Sequence, residues 1–353
     1  MFQNLLMAVK ANISAIRSII KTNEKIRDIA FGDVSLRTEE IQQLLINISQ
    51  DIPELTDWRV YDHCAVVTRL YAIYETFVED LIEDWLILLP SLYSNYSELN
   101  ETIRKTHQSG VGRLLQEILK EDNHRYKNLS TQQVMYGLLN GETGKDKYEL
   151  LPDAFLFHEQ NLRKNSLEKL LANAGIFHSW SWVVKHRDVK YFIEEIRANK
   201  NSLEQELNTL IIYRNEAAHG TDIDNWLAAN ALLELCDFVE SLCQALTELV
   251  NYQVLERKKS IGQAQEVGKI TEWLKKRQAA ILTADGEYPL SVGNSVFLAN
   301  KSKSYCQLAT IETIQDNNNF ITDPDFKTTP EMELGLKFDV DARKDLRLYQ
   351  LIT

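Results

Sequence analysis

The sequence predicts a mainly α-helical chain with a small β-rich domain at its C-terminal end. Apolar residues recur at helical spacing to about residue 275, and from about residue 282 short β-branched and aromatic runs alternate with turn residues. A length of 353 residues with 44% hydrophobic content suits two or three domains. We expect an N-terminal helical extension (1–54), a helical bundle (55–258), a connecting helix (259–281) and the small β-rich domain (282–353).

The first helices are predicted from their apolar faces. An N-terminal helix is indicated by residues spaced three or four apart, namely Phe2, Leu5, Leu6, Val9, Ile13, Ile16 and Ile20. A longer apolar helix, from Asp57 to about Leu89, is expected at the centre of the core. Glu75 lies among its aromatic residues, where a carboxylate is costly unless it has a partner. Glu75 either pairs with Arg214 or occupies a solvated edge.

A later helix carries the most informative polar residues of the chain. Asn201 and Glu204 match the capping-box pattern at its start, and Gly220 is the residue type that ends helices. The next long helix is expected to begin at Asp222 or Asp224. Two such helices would run antiparallel and place the residues before Gly220 at one end of the bundle.

Arg214, Asn215 and His219 are the candidate catalytic residues. An arginine is a permanent cation suited to phosphate, and a histidine exchanges protons near neutral pH, so this pair could cleave a phosphodiester without a metal. Asn215 shares a helix face with His219, whereas Arg214 lies about 140° away from it at ~100° per residue. The alternative is an ordinary polar face near a helix end, because such spacing also arises by chance.

Charge and cysteine content limit the classes of protein. A net charge of −12 argues against a broad nonspecific nucleic-acid surface, but it permits a small local site. The first residues, interrupted by Lys10 and Arg17, resemble neither a signal peptide nor a membrane span, so we expect a cytoplasmic protein without a membrane partner. The four cysteines are expected to be free thiols, with no metal site.

Two further regions have open interpretations. Lys185, His186, Arg187 and Lys190 form the densest basic patch before the motif. A solvated face is favoured for this patch; the alternative is an RNA track, with Lys185 and Arg187 as weak substrate-binding residues. The C-terminal β-rich domain could bind substrate, a partner or a regulator, or serve only for packing or dimerisation.

The segment from Arg214 to Gly220 resembles the R-N-x-x-x-H signature of HEPN domains, a superfamily of helical nucleotide-binding and ribonuclease domains. Residues 70–77 resemble the long early helix of the RiboL-PSP-HEPN branch, and residues 161–176 resemble its middle segment. The resemblance covers about residues 55–250, and the fold that it implies is a HEPN-like helical bundle.

The resemblance implies a metal-independent endoribonuclease without a cofactor, commonly a toxin or an antiviral abortive-infection effector. His219 would act as general acid or base, Arg214 would hold the scissile phosphate, and Asn215 would orient the phosphate or His219. Attack by the ribose 2′-hydroxyl would leave a cyclic phosphate. Glu75 would support the site by positioning Arg214.

The partners implied by the resemblance are RNA, a second copy of the chain that completes the active site, and an antitoxin or defence protein. Some toxins of the superfamily carry a tyrosine two residues after the histidine, where a partner enzyme modifies them. That position is Thr221 here, which argues against this kind of neutralisation. The alternative function is a catalytically silent helical module that binds a nucleotide, RNA or a protein.

Overall fold

The structure is a computed structural model, and it describes residues 2–33, 38–48, 50–120, 126, 128–144, 147–157, 161–220, 223–317, 319–323 and 325–352. The α-helices in these ranges are α1 (Gln3–Phe31), α2 (Glu39–Ile48), α3 (Leu55–Leu92), α4 (Glu101–Ile118), α5 (Thr131–Thr143), α6 (Lys164–Asn173), α7 (Ser179–Lys185), α8 (Arg187–Tyr191), α9 (Leu203–His219) and α10 (Ala229–Ser260). A π-helical turn, Phe192–Ile196, continues α8. Among the helices so described, none combines the length and the apolar character needed to cross a bilayer.

The core of the bundle forms around the three longest helices, α1, α3 and α10. The predicted apolar face of α1 is buried, with Leu6, Ile13 and Ile20 almost fully shielded from solvent. Each such side chain stabilises the fold by roughly 1.5 to 3 kcal/mol. Their partners in one continuous apolar cluster include Tyr74 of α3 and Leu242 of α10. The first helix of the chain therefore forms part of the core of the bundle.

The helix that carries the motif, α9, ends where the sequence predicts. It ends at His219, and Gly220 follows in the left-handed region with φ of 63°. Its start differs from the prediction, because the capping box is formed by Ser202 and Gln205. The predicted Asn201–Glu204 pair matches the same pattern one residue earlier, and the side-chain amide of Asn201 instead donates to Glu206 at 2.7 Å.

The start predicted for the following helix is wrong. The helix α10 begins at Ala229, and Asp224 lies in the non-helical segment before it; Asp222 lies outside the described residues. This segment runs along α3, where the backbone N–H of Leu227 donates to Nδ1 of His63 at 3.2 Å. This tertiary contact gives the backbone N–H of Leu227 a partner outside a helix, and the helix begins only after it.

The C-terminal part is a closed β-barrel. Its strands are β1 (Ala264–Leu274), β2 (Ala279–Ala284), β3 (Ser295–Asn300), β4 (Tyr305–Asp316), β5 (Asn319–Phe320), β6 (Glu333–Phe338) and β7 (Arg347–Leu351). Six strands follow each other in the order β3-β7-β1-β2-β6-β4, and pairing of β3 with β4 closes the ring. The short β5 extends the sheet at β4.

The predicted connecting helix over 259–281 and the small β-rich domain over 282–353 are both corrected by this barrel. The helix α10 continues to Ser260, and the barrel begins at Ala264 instead of residue 282. Val267 and Ile270 of β1 point into the barrel core, and Gly268 lets β2 approach so closely that a Cβ there would lie 2.2 Å from the carbonyl oxygen of Thr283. The strand pairs β1–β7 and β1–β2 hold residues 264–274 as a strand, and the lysine- and alanine-rich residues that follow form a turn and the start of β2.

The barrel packs directly against α10. Phe297, Cys306 and Tyr349 of the barrel wall belong to the same apolar cluster as the helical core. A second cluster, which includes Ile270 and Leu298, fills the barrel itself. The wall of the barrel next to α10 is therefore buried on both sides.

Candidate active site

Arg214 lies on α9, and neutral side chains hold its guanidinium. Its Nη1 donates to Oδ1 of Asn161 at 3.3 Å and to Oδ1 of Asn215 at 3.1 Å. The amide of Asn161 also donates to Oδ1 of Asn215 at 3.1 Å, which closes a three-residue ring of hydrogen bonds. The two asparagines thus fix one end of the guanidinium without neutralising its charge.

The aromatic ring of Tyr71, on α3, supports Arg214. The guanidinium carbon of Arg214 lies 4.9 Å from the ring centre. The Tyr71 hydroxyl donates to Oε1 of Glu75 at 2.9 Å and accepts the backbone N–H of Leu162 at 3.0 Å. Burial raises the pKa of Tyr71, so this hydroxyl stays protonated and keeps donating to Glu75.

Glu75 is near the site, and its contact with Arg214 is indirect. The carboxylate is half-buried and takes the Tyr71 hydroxyl as its partner. Within the described part of the chain, no ion pair joins Glu75 to Arg214. The ring of Tyr71 connects the two residues, so any support that Glu75 gives to Arg214 passes through Tyr71.

The charge of Arg214 is therefore available to a ligand. Its side chain is partly exposed, and among the described residues no carboxylate forms an ion pair with it. Nη1 makes the hydrogen bonds to the two asparagines, and Nε and Nη2 make none within the same ranges. A partly exposed guanidinium with free donors suits an anionic oxygen such as that of a phosphate.

His219 lies at the end of α9 and is exposed to solvent. Asn215 is one turn before it on the same helix face. The structure thus brings Arg214 and Asn215 into contact, whereas His219 faces solvent beyond them. Thr221, the position of interest after the motif, lies outside the described residues.

His63 is a buried histidine beside the motif. Its ring packs edge-on against Tyr213 with ring centres 5.1 Å apart, and its Nδ1 accepts the N–H of Leu227. Burial lowers the pKa of His63, which favours the neutral imidazole. His63 therefore fixes the segment before α10 against α9, next to Arg214.

The two predicted weak substrate contacts lie elsewhere in the molecule. Lys185 is exposed at the end of α7. Arg187 forms an ion pair with the buried carboxylate of Glu248, at 2.7 Å. This pair leaves Arg187 less able to bind a phosphate than Lys185, and the substrate contacts of both residues stay predictions.

Asn161 and Tyr71 are residues of this site that we did not single out from the sequence. Both lie in the segments that resemble the RiboL-PSP-HEPN branch, so that resemblance was the available signal. Both are far from the motif in the sequence: Asn161 lies 53 positions before Arg214, and Tyr71 lies still earlier, on α3. Only the packing of α3 and the residues before α6 against α9 brings them together.

No group of three or more histidine, cysteine and acidic side chains that could hold a metal ion occurs in the described ranges. Of the four cysteines, all free, Cys236, Cys243 and Cys306 are buried and Cys64 is partly exposed. Burial raises the pKa of the Cys236 thiol to about 12, which keeps it protonated at neutral pH.

Comparison with known proteins identifies the helical part of the chain. The family model described as RiboL-PSP-HEPN matches residues 33–252. This match includes the whole of α3 and α9, with Tyr71, Asn161 and Arg214, and it ends before the barrel. No curated protein and no solved structure gives a significant match to the chain.

Proposed function

Because this chain belongs to the RiboL-PSP-HEPN family, we propose that it is a metal-independent endoribonuclease. HEPN membership suggests an RNA-related role, and the chemistry at the motif supports RNA cleavage in particular. The observation that carries the proposal is the environment of Arg214. Two asparagines and an aromatic ring position its guanidinium, and no carboxylate within the described ranges neutralises it.

In the proposed reaction the ribose 2′-oxygen bonds to phosphorus while the bond from phosphorus to the 5′-oxygen breaks. One proton leaves the 2′-hydroxyl, and one is delivered to the departing 5′-oxygen. His219 transfers one of these protons as general base or acid, and a second copy of His219 transfers the other. The products are a 2′,3′-cyclic phosphate and a 5′-hydroxyl, and DNA is not cut because it lacks the 2′-hydroxyl.

Arg214 stabilises the charge that develops on the phosphate oxygens. Because its guanidinium is already oriented by Asn161 and Asn215, little reorganisation is needed when the phosphate binds. Asn215 also shares its helix face with His219, so it can orient the imidazole or the phosphate. Glu75 holds Tyr71, on whose ring Arg214 rests.

We further propose a homodimer in which two motifs form one cleft. Arg214 contacts α3 and Asn161, whereas His219 faces solvent, which fits their separation of about 140° on an ideal helix. A second copy would bring another His219 toward the phosphate held by Arg214. The physiological role that we propose is that of a toxin or antiviral effector, with an antitoxin or defence protein as partner.

The test is cleavage of single-stranded RNA by the purified protein in EDTA, with a DNA strand of the same sequence as comparison. We expect RNA alone to be cut, and we expect Arg214→Ala and His219→Ala to remove cutting while the melting temperature is kept. Asn208→Ala is the matched control, since Asn208 lies on the same helix and accepts a hydrogen bond from Arg163 at 2.7 Å. RNA binding without cleavage by the wild-type protein would instead support the catalytically silent module.

A further inference from the structure

A basic cleft lies between the helical bundle and the barrel. Its volume is about 420 Å³. Lys185 and Lys190 line it from α7 and α8, and Lys303 and Arg343 line it from the barrel side. The basic patch noted in the sequence thus forms one wall of a cleft whose other wall comes from the barrel.

Three of these cations have no acidic partner among the described residues. Lys185, Lys190 and Arg343 form no ion pair in the part of the chain that the structure describes, whereas Lys303 lies 3.2 Å from Asp345. Glu194 and Glu195 also line the cleft, so its lining carries acidic as well as basic side chains. In a chain with a net charge of −12, such unpaired cations on one surface favour an anionic ligand.

The cleft also offers an aromatic surface on a rigid frame. Tyr191 lines it, and 61% of this residue is exposed. An exposed aromatic ring beside lysines is the combination that binds single-stranded nucleic acid, through base stacking and phosphate contacts. Glu248 contacts both Arg187 and the β4 backbone, so the two walls are held at a fixed separation.

We propose that this cleft binds backbone phosphates of the substrate RNA away from the bond that is cut. The inference rests on the proposed ribonuclease function and adds a second contact region for the same substrate. Tyr213 and His63 place the motif near the start of α10, and Glu248 lies 19 residues beyond Ala229 on that helix. At ~1.5 Å per residue the two regions are about 28 Å apart along α10, so an RNA must be several nucleotides long to contact both.

The experiment measures RNA binding in the His219→Ala background, where the substrate stays intact. The cleft variant carries Lys185→Glu and Lys190→Glu, and the matched control carries Lys21→Glu and Lys25→Glu on the exposed face of α1. A 30-nucleotide single-stranded RNA should bind the cleft variant at least about tenfold more weakly, and the slope of log affinity against log salt should flatten by about 1.4 to 2, because two lysines are changed. The control should bind as the parent does.

Two further measurements make the result decisive. Arg343→Glu should also weaken binding of the 30-nucleotide RNA, since it alters the barrel wall. Lys185→Gln with Lys190→Gln should give a smaller loss in the same direction at an unchanged melting temperature. Equal affinity of the cleft variant and its parent for the long RNA, or an equal loss in the α1 control, overturns the proposal. Because binding is measured without cleavage, failure of the ribonuclease assay is a separate result.

Discussion

Glu248 of α10 and Arg187 of α8 form a two-pronged ion pair, with distances of 2.7 and 2.9 Å between the guanidinium nitrogens and the carboxylate oxygens. The same carboxylate accepts the backbone N–H of Cys306 on β4 at 3.0 Å and the amide of Gln307 at 2.9 Å. Glu248 is only 1% exposed. One buried carboxylate therefore links three parts of the fold: α10, α8 and the barrel.

Loss of the Glu248 charge should destabilise the protein. Glu248→Gln keeps the shape of the side chain and leaves the largely buried Arg187 guanidinium with only the more exposed Asp188 carboxylate, 3.5 Å away, as counter-charge, at an expected cost of about 3 kcal/mol. The measurement is the free energy of unfolding in urea. Glu240→Gln is the matched control, because Glu240 lies on the same helix and forms an ion pair with Arg17 that is more exposed to solvent. This variant should lower the free energy of unfolding by about 1 kcal/mol or less. Equal losses in the two variants would contradict the prediction.

The same contact predicts a dependence of stability on pH. Burial opposes ionisation, but the contacts with His186 and Arg187 outweigh it and hold the pKa of Glu248 well below its ordinary value of 4.5. A lowered pKa in the folded state stabilises the protein above the ordinary value, and this contribution is lost as the pH falls toward the folded-state pKa. The stability difference between wild type and Glu248→Gln should therefore be constant from pH 7 to about pH 5 and shrink below it. A difference that grows on acidification would contradict this.

The central helix α3 and the end of α9, which carries the motif, were predictable because their signals are local. The apolar spacing of α3 and the Gly220 stop of α9 depend on residues within a few turns. The start of α10 was not predictable in this way, because the contact of Leu227 with His63 joins residues 164 positions apart. The same holds for β1, whose strand partner β7 lies at the far end of the chain.

The residues of the candidate site likewise fall into those with a local sequence signal and those brought in by long-range contacts. Arg214, Asn215 and His219 were identified because they lie within six residues of one another. Asn161 and Tyr71 reach Arg214 only through tertiary packing, and the sequence contains no periodic or spacing signal for such contacts. For Arg187 the local sequence signal was misleading. Its basic neighbours in the sequence favoured a solvent-exposed face, whereas the fold pairs Arg187 with the buried carboxylate of Glu248.

Removal of the Asn161 amide should impair cleavage more than folding. Asn161→Ala takes away one of the two oxygens that orient Nη1 of Arg214, so we expect kcat to fall by about 10- to 100-fold with a small change in melting temperature. Steady-state cleavage of RNA measures this. Asn208→Ala removes a comparable arginine contact on the same helix and should leave kcat unchanged. Equal activity of the two variants would mean that Asn161 does not position Arg214.

Tyr71→Phe distinguishes the role of the Tyr71 ring, which contacts Arg214, from that of its hydroxyl, which donates to Glu75. The variant keeps the ring beneath Arg214, but it leaves the buried N–H of Leu162 and the carboxylate of Glu75 without this partner, at a cost of about 1 to 3 kcal/mol. Tyr74→Phe is the control, because the Tyr74 hydroxyl donates to the carbonyl of the same Leu162 at 3.0 Å. Both variants should lower the free energy of unfolding. Only Tyr71→Phe should also lower kcat, because it removes the hydrogen bond that holds Glu75 beside Arg214. Equal kcat values in the two variants would show that the Tyr71 hydroxyl has no part in positioning Arg214.

The proposed two-chain cleft can be tested by mixing active and inactive copies. The inactive copy carries both Arg214→Ala and His219→Ala, and co-expression allows the two chains to pair. If the cleft needs residues from both chains, a mixed dimer is inactive. Because the chains pair at random, the activity per wild-type chain should fall to about one half at equal amounts of the two chains. With a threefold excess of the inactive chain it should fall to about one quarter. An inert protein at the same concentration controls for crowding, and sedimentation confirms that dimers form. Activity per wild-type chain that stays constant as the inactive chain increases would show that each copy works alone, because the pairing would then leave every intact motif functional.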